Sequence, residues 1–432
     1  MFHLGWFLGN GFSVQGWPAP GHGRGYDWTK PELYQDMTRL LERGGFDMLV
    51  IEDTSMVPDT YQGSSQVYLA HAHHAPKHDP VPLVPLIAAA TRHIGIVPTL
   101  TTTYYPPYLL ARLIATLDHL TDGRVGWNIV TGTSSLSAQN YGKEALPPHD
   151  MRYDMADEFV DLCEQLWASW EPDAVVMDEE RHVYADYTKV HRVDFEGQWF
   201  KCRGPLNVIP TPQLKPVFVQ AGGSPRGREF AARHAEVIVA LGSSIEGMKE
   251  YRDDVHARMV KYGRKPCDIK VMFNCSPIIA DNTDAAWERK RQMAVVTESK
   301  IHNSLAGVSL LTGIDFAKYD MDGPLPDNSL SVGNQSVLAR FHAQDPKPTI
   351  REMASQMIGQ MSLPLVGTPG EVADQMQETM EQVGGDGFFI TGSFRPGYIV
   401  DLVDRLVPEL RTRGLVRDGY GYSTFRENLM EF

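Results

Sequence analysis

The strongest constraint on the fold of this chain is a repeated alternation of short apolar runs with helical patterns. The runs begin at Phe2, Phe46, Ile94, Arg124, Val217, Val237, Ile269 and Phe388. Each run has the length of a buried strand, and the residues that follow it place apolar side chains at helical spacing. Eight such rounds predict an α/β protein, a (β/α)8 TIM barrel, because parallel strands need a crossover between them.

Three segments are too long to be ordinary barrel connections and predict insertions into a single domain, residues 1–432. They lie near residues 54–79, 171–214 and 307–363, whereas loops in α/β units usually have about 2–6 residues. We expect the first and third insertions to cover the site as lids. In the second, Arg192–Phe195 and Trp199–Cys202 predict a β-hairpin that turns at Glu196–Gly197.

The turn after the fifth apolar run has the chemistry of an anion site. Gly222 and Gly223 allow a close approach to the backbone, Ser224 can cap the free amides of a helix, and Pro225 suits its first turn. Unpaired amides and the helix dipole favour a phosphate there, with Arg226 or Arg228 as sources of further positive charge. The alternative is an ordinary strand-to-helix turn capped by serine.

Other polar residues follow predicted strands at the positions where barrel active sites form. Asp53 comes after the second run, and Asn128 and Thr131 close the fourth. Active sites of (β/α)8 barrels lie at the carboxyl ends of the strands. Farther along, His149 and Tyr153 are four residues apart and can reach one ligand if the helix predicted over Asp150–Trp170 begins near His149.

Charge and composition exclude several classes of partner. The net charge is −14, and no run of Lys and Arg supplies the basic face that nucleic acids require. No apolar stretch reaches the ~18 residues that a membrane span needs. The N-terminal residues lack a basic leader and a small-residue cleavage site, so we expect a cytoplasmic protein.

A group of histidines raises the question of a metal site. His71, His73, His74 and His78 lie close together in sequence, but their spacing does not match a helical pair of ligands, and Asp79 is the nearby carboxylate. We therefore expect no metal.

Several long motifs, in order, resemble one known family. They are LDHLTDGRVGWNIVTG (Leu117 to Gly132), AQNYG (Ala138 to Gly142), HDMRYDMADEF (His149 to Phe159), QAGGSPRGREFAARHAE (Gln220 to Glu236) and GIDFAKYDMDGPLP (Gly313 to Pro326). The chain resembles the flavin-dependent monooxygenases of the bacterial luciferase-like superfamily. The most similar branch contains nitrilotriacetate, EDTA and dibenzothiophene-sulfone monooxygenases.

The resemblance implies a two-component enzyme. Reduced FMN (FMNH2) would come from a separate NAD(P)H-dependent flavin reductase, and O2 would be activated as a flavin C4a-peroxide. The expected reaction is oxidation of a small organic substrate by N-dealkylation, C–S cleavage or a related hydroxylation. A homodimer or homotetramer is implied as well.

The resemblance also assigns site residues. The cofactor-binding positions are Asp53, Thr99, Asn128, Thr131, His149, Tyr153, Gly223 and Ser224. Asp53 and Thr99 match flavin-contacting positions, while His149, Tyr153 and Ser224 match positions that hold the ribityl phosphate. Asn128 and His149 are the catalytic candidates, expected to position or polarise the flavin. The chain has Gly132 where the branch more often has serine, so that hydroxyl contact is missing.

Two other functions stay open. The chain could be a deazaflavin-dependent oxidoreductase of the same superfamily, which transfers hydride without O2. It could also be a flavin-binding protein without catalytic activity.

Overall fold

The eight predicted strands close into a parallel barrel. The computed structural model describes residues 1–9, 12, 14, 16–18, 25–325, 342, 344–358 and 363–432. The barrel strands are β1 (His3–Leu8), β2 (Met48–Ile51), β3 (Gly95–Thr101), β4 (Gly126–Val130), β5 (Val217–Gln220), β6 (Val237–Ala240), β7 (Lys270–Cys275) and β8 (Gly387–Ile390). Each pairs with the next along the chain, and β8 pairs with β1. The TIM-barrel prediction is confirmed.

Helices pack around the outside of this barrel. They are α1 (Pro31–Arg43), α2 (Pro80–Ala88), α3 (Pro107–Leu120), α4 (His149–Trp167), α5 (Pro225–His234), α6 (Ile245–Met259), α7 (Pro369–Val383) and α8, which runs through Pro396–Asp401, a π-helical turn Leu402–Leu406 and Val407–Thr412. Shorter or inserted helices cover Gln66–Ala70, Ser135–Asn140, Thr283–Ala294, Glu298–Thr312, Ile350–Met357 and Phe425–Leu429. No helix in the described part of the chain is both long and apolar enough to cross a bilayer.

The barrel interior changes from apolar to polar along its axis. Val50, Val97, Val219 and Met272 belong to one buried cluster inside the ring. Because side chains alternate along a strand, Thr99 shares the inner face of β3 with Val97. Polar residues therefore begin where the apolar filling ends, at the carboxyl ends of the strands.

The opposite end of the barrel is closed by the last helix. Phe425 and Leu429 belong to the same interior cluster as the strand valines. A side chain at Gly95 would lie 2.6 Å from the ring of Phe425, so the first residue of β3 has to be glycine. Next to this helix, Nη2 of Arg417 lies 2.5 Å from Oδ1 of Asp47. Both side chains are buried.

Two predicted elements are shorter than expected. The strand predicted over Ile269–Ile279 ends at Cys275, because Pro277 has no N–H to continue a ladder. Ile278–Ile279 instead pairs with Val366–Gly367 in a separate parallel sheet. The helix predicted from Asp284 to Asn303 is two helices, the second capped by Thr297.

The insertions differ in how they fold. In the second insertion Val175–Asp178 pairs with Val183–Ala185. Its predicted hairpin forms as Phe195–Glu196 with Lys201–Cys202, and the turn is wider than predicted because Gly197 N donates to Phe200 O at 2.9 Å. Residues 326–341, 343 and 359–362 of the third insertion lie outside the described residues, so its role as a lid remains a prediction.

Candidate functional site

The turn after β5 is built as a capped helix start. Ser224 is the N-cap of α5, and its Oγ accepts a hydrogen bond from Gly227 N at 3.0 Å. Gly227 must be small, because a Cβ there would lie 2.9 Å from the Tyr153 hydroxyl and 3.1 Å from Ser224 Oγ. The hydroxyl groups of Ser224 and Tyr153 therefore lie next to each other, on elements far apart in sequence.

His149 completes this group. Helix α4 begins at His149, as the predicted role of His149 and Tyr153 requires. His149 Nε2 lies 3.4 Å from Ser224 Oγ, and the rings of His149 and Tyr153 are 5.2 Å apart. The three predicted phosphate-binding side chains are thus brought together.

The backbone of the turn supplies further donors. Among the described residues, no group accepts a hydrogen bond from the backbone amides of Gly223 and Ser224. The turn itself is fixed by Tyr251, whose hydroxyl donates to Gly222 O at 2.6 Å. Free amides at a helix N-terminus next to neutral hydroxyl donors form a site for a phosphate or another oxyanion.

The two arginines of this helix do not contribute as expected. Arg226 binds Asp154 at 2.9 Å and also Asp157, while Arg228 binds Asp254 at 3.0 Å. Carboxylates on α4 and α6 therefore neutralise both guanidinium groups. The prediction that either would add positive charge to an anion site is wrong, because sequence spacing does not show which acidic residues lie opposite.

Thr99 and Asn128 form a pair across two neighbouring strands. They are register partners on β3 and β4, and Asn128 Nδ2 donates to Thr99 Oγ1 at 2.8 Å. Both residues are buried. Asn128 Oδ1 is buried too and has no hydrogen-bond partner among the described residues. A buried acceptor without a donor is unusual, and it could bind an N–H or O–H group of a ligand.

Asp53 is a half-buried carboxyl group, and no ion pair joins it to a cation among the described residues. Burial raises its pKa to about 6, against the effect of the nearby Lys77 charge. Lys77 Nζ instead binds Glu52 Oε2 at 2.6 Å. Asp53 can therefore change protonation near neutral pH, which makes it a candidate for proton transfer as well as for ligand contact.

Thr131 lies between the strand end and helix α4. It is buried, and it contacts the hydroxyl of Tyr153. Burial raises the pKa of Tyr153, while the charges of Arg152 and Arg226 and the contacts with Thr131 and Gln220 lower it. Tyr153 is therefore a neutral hydrogen-bond donor at neutral pH.

Sequence reasoning missed two cationic groups at this end of the barrel. Arg152 is buried between Tyr153 and the loop at Gly132, whose carbonyl oxygen accepts from its Nη1 at 2.8 Å. Lys77 is buried beside Glu52 and Asp53. Arg152 could have been found from its position, because it follows His149 by three residues and therefore lies on the same side of the helix.

The histidine group is dispersed. His73 and His74 stack at 4.8 Å, and burial lowers the pKa of each to about 3. His78 packs on Trp28 instead. Of the described residues, those close enough to share a metal ion are Asp161, Glu164 and His234, a group away from all predicted site residues.

A large cavity lies on the other side of the barrel opening. It has a volume of about 1030 Å³ and contacts Ser276 after β7 and Thr391 after β8. The hydroxyl groups of these two residues are 2.8 Å apart. None of the predicted site residues lines this cavity, so the predicted cofactor residues are separate from it.

Most of the chain matches one protein family. A sequence profile described as luciferase-like monooxygenase matches residues 4–387. The chain belongs to the luciferase-like monooxygenase family. The family expected from the motifs is thereby confirmed, and the protein is an enzyme of this family.

Individual relatives are similar in sequence to this chain over nearly its full length. The long-chain alkane monooxygenase of Geobacillus thermodenitrificans is 37% identical over 414 residues, which cover 96% of this chain and 90% of that protein. The dibenzothiophene-sulfone monooxygenase of Rhodococcus erythropolis is 36% identical over 411 residues, 93% of this chain and 90% of that one. The structure of a riboflavin lyase with modified FMN and riboflavin superposes with a TM-score of 0.89 at 32% identity and covers 100% of this chain and 96% of that chain.

Proposed function

We propose that this luciferase-like monooxygenase is the oxygenase component of a two-component system. It would bind reduced FMN delivered by a separate NAD(P)H-dependent flavin reductase and use O2 to oxidise a small organic substrate. The observation that carries this proposal is the convergence of Ser224, His149 and Tyr153 on the free amides of the turn after β5.

The residues present fit a flavin mononucleotide. Hydroxyl, imidazole and amide donors suit its phosphate, and the unpartnered Asn128 Oδ1 suits an N–H group of its ring. Asp53 and Thr99, at the ends of β2 and β3, would contact the ring, and Thr131 and Gly223 would border the ribityl chain. When bound in reduced form, this cofactor supplies the electrons that activate O2.

The side chains have distinct tasks in this proposal. Thr99 holds the Asn128 amide by accepting from Nδ2 at 2.8 Å, so that Oδ1 keeps one orientation. His149 Nδ1 lies 2.7 Å from Asp150 Oδ1, which directs Nε2 toward Ser224. Both catalytic candidates are therefore fixed by neighbours before a ligand arrives, which favours catalysis through preorganisation.

Exclusion of water is the other task of the protein. A site that activates O2 next to an organic substrate needs a dry environment to prevent side reactions. Thr99, Asn128 and Thr131 are already buried. The first insertion packs its buried side chains Tyr61 and Tyr68 against the helix Glu298–Thr312, and its role as a lid is part of this proposal.

The class of substrate is suggested by the relatives. Their names refer to a long-chain alkane, to a sulfone and to nitrilotriacetate, which are organic molecules of very different polarity. We propose a small organic substrate, oxidised by C–S cleavage, N-dealkylation or hydroxylation. The cavity beside Ser276 and Thr391 is large enough for it.

Reconstitution tests the proposal. The purified protein is mixed with an NAD(P)H-dependent FMN reductase, and O2 consumption and product formation are measured with alkanes, thioethers, sulfones and aminopolycarboxylates. We expect one class to give product that depends on both proteins. Turnover of a reduced deazaflavin without O2 would support hydride transfer instead, and tight binding of reduced FMN without product from any class would favour the non-catalytic alternative.

Assembly needs a separate measurement. The homodimer or homotetramer implied by the family resemblance remains a prediction. Light scattering on the purified chain determines its mass directly, and a monomer would contradict it.

A further inference from the structure

Arg152 is a buried cation without an anion. The residue is 2% exposed, and among the described residues no carboxylate lies within ion-pair distance of its guanidinium. Arg152 Nη1 donates a hydrogen bond to Gly132 O at 2.8 Å. Its Nε is buried and has no hydrogen-bond partner among the described residues. Burial of an unpaired charge is costly unless a counter-ion completes the site.

Arg124, at the other end of β4, shows what a self-sufficient buried arginine looks like in this fold. It is 4% exposed and also lacks a carboxylate partner among the described residues. However, its Nε donates to Thr121 O, Nη1 to Thr91 Oγ1 and Nη2 to Ala88 O, at 2.8, 3.0 and 3.1 Å. Every nitrogen of Arg124 is satisfied inside the protein, whereas Arg152 is left incomplete.

The position of Arg152 points to the anion that it lacks. It follows His149 by three residues on α4 and directly precedes Tyr153, two of the groups around the turn after β5. Of the charges that act on the Tyr153 hydroxyl, that of Arg152 has the largest effect, ahead of that of Arg226. Arg226 is already neutralised by Asp154 and Asp157. Among the described residues, Arg152 is thus the arginine near this turn that no carboxylate neutralises.

We propose that Arg152 balances the charge of the phosphate group bound at Ser224. The inference rests on the proposed function and deepens it, since it assigns the positive charge that Arg226 and Arg228 do not supply. The uncharged donors of the turn would select the shape of the phosphate, and Arg152 would stabilise its two negative charges in a medium of low dielectric constant.

Comparison of two flavins tests this role, because reduced FMN and reduced riboflavin differ only in the phosphate. Both affinities are measured anaerobically, riboflavin by displacement of FMN, for the unchanged protein, Arg152→Met and Arg152→Lys. We expect Arg152→Met to weaken FMN binding by about tenfold or more and riboflavin binding by about twofold or less. Arg152→Lys should recover part of the FMN affinity, because it keeps the charge without the planar fork.

A matched control separates charge balance from loss of stability. Arg124→Met removes an equally buried guanidinium, so it should lower the melting temperature yet leave the FMN-to-riboflavin affinity ratio unchanged. Equal weakening of both flavins by Arg152→Met would overturn the proposal and leave Arg152 as a support for the Gly132 loop. If the unchanged protein bound neither flavin, the proposed function itself would fail.

Discussion

Two aspartates at opposite ends of β2 have opposite environments. Asp47, just before the strand, accepts from Leu4 N at 3.0 Å and lies 3.1 Å from His3 and 2.5 Å from Arg417. Burial raises the pKa of Asp47, but the combined effect of His3, Arg417 and the Leu4 amide lowers it by more. The pKa is therefore below its ordinary value. Asp53, just after the strand, has no ion-pair partner among the described residues, and burial raises its pKa to about 6 against the effects of Lys77 and of the Thr54 amide.

The same contrast holds for the two ends of the barrel. At the amino ends of the strands, Asp47 and Arg124 have internal partners and the helix containing Phe425 fills the opening. At the carboxyl ends, Asn128 Oδ1 and Arg152 Nε are buried without partners. The buried charge of Asp47 is thus paired within the protein, whereas the carboxyl ends leave the Asn128 acceptor and an arginine without a carboxylate available to a ligand, at the expense of stability.

The largest expected effect concerns the closed end. Arg417→Met should lower the free energy of unfolding by about 3–5 kcal/mol, because it leaves the buried Asp47 carboxylate without its cation. Urea unfolding measures the change. Arg405→Met removes a cation from an exposed pair with Asp281 and should cost about 1 kcal/mol or less. Similar losses for both variants would contradict the assignment of Asp47 and Arg417 as a structural pair.

At the open end, Ser224→Asp should weaken binding of reduced FMN by about 100-fold, or about 2.7 kcal/mol, by placing a carboxylate against the phosphate. Stability should be retained, since aspartate is also a good N-cap. Ser244→Asp is the control: Ser244 caps α6 in the same way, with Oγ accepting from Gly247 N at 3.2 Å, and it should leave the affinity unchanged. Unchanged affinity in Ser224→Asp as well would remove the phosphate from this turn.

The raised pKa of Asp53 predicts a stability effect with a definite sign. Its folded pKa of about 6 exceeds the ordinary value of 3.8, so the folded state binds the proton more tightly and stability falls as pH rises from about 4 to about 6. Asp53→Asn should therefore raise the free energy of unfolding by about 1–2 kcal/mol at pH 8 and by almost nothing at pH 4. Urea titrations at both pH values measure this; a loss at pH 8 would show that the Asp53 carboxylate is stabilised by the fold.

The smallest effect concerns the pair that orients Asn128. Thr99→Val keeps the shape of the side chain but removes the acceptor of Asn128 Nδ2, so FMN affinity should fall about fivefold and stability by about 1 kcal/mol. In Thr38→Val, a buried threonine loses its bond to Tyr34 O, at similar cost to stability. Isothermal titration should find a lower FMN affinity in Thr99→Val and an unchanged affinity in Thr38→Val. A lower affinity in both variants would assign the effect to general destabilisation.

Sequence patterns predicted the parts of this protein that depend on local periodicity. The eight strands are confirmed because each carries its own apolar run, and the predicted cap of α5 by Ser224 is confirmed as well. Where a single proline interrupts an apolar run, as Pro277 does, the pattern alone overestimated the strand. Local signals fix an element more reliably than they fix its end.

Long-range charge pairing could not be predicted in this way. Nothing near Arg226 in sequence shows that Asp154 and Asp157 neutralise it, and 370 residues separate Asp47 from Arg417. The isolation of Arg152 is likewise a property of the folded chain. The site residues assigned by family resemblance remain predictions, although Ser224, His149 and Tyr153 lie close together as that assignment requires.

A crystal structure of the complex with FMN would locate the phosphate. We expect it within hydrogen-bonding distance of Ser224 Oγ and His149 Nε2, with the flavin ring toward Asn128. Phosphate sites in many barrels instead follow strands seven and eight, which here is the side of the cavity next to Ser276 and Thr391. A phosphate bound there, with the turn at Ser224 empty, would show that Ser224, His149 and Tyr153 do not bind it.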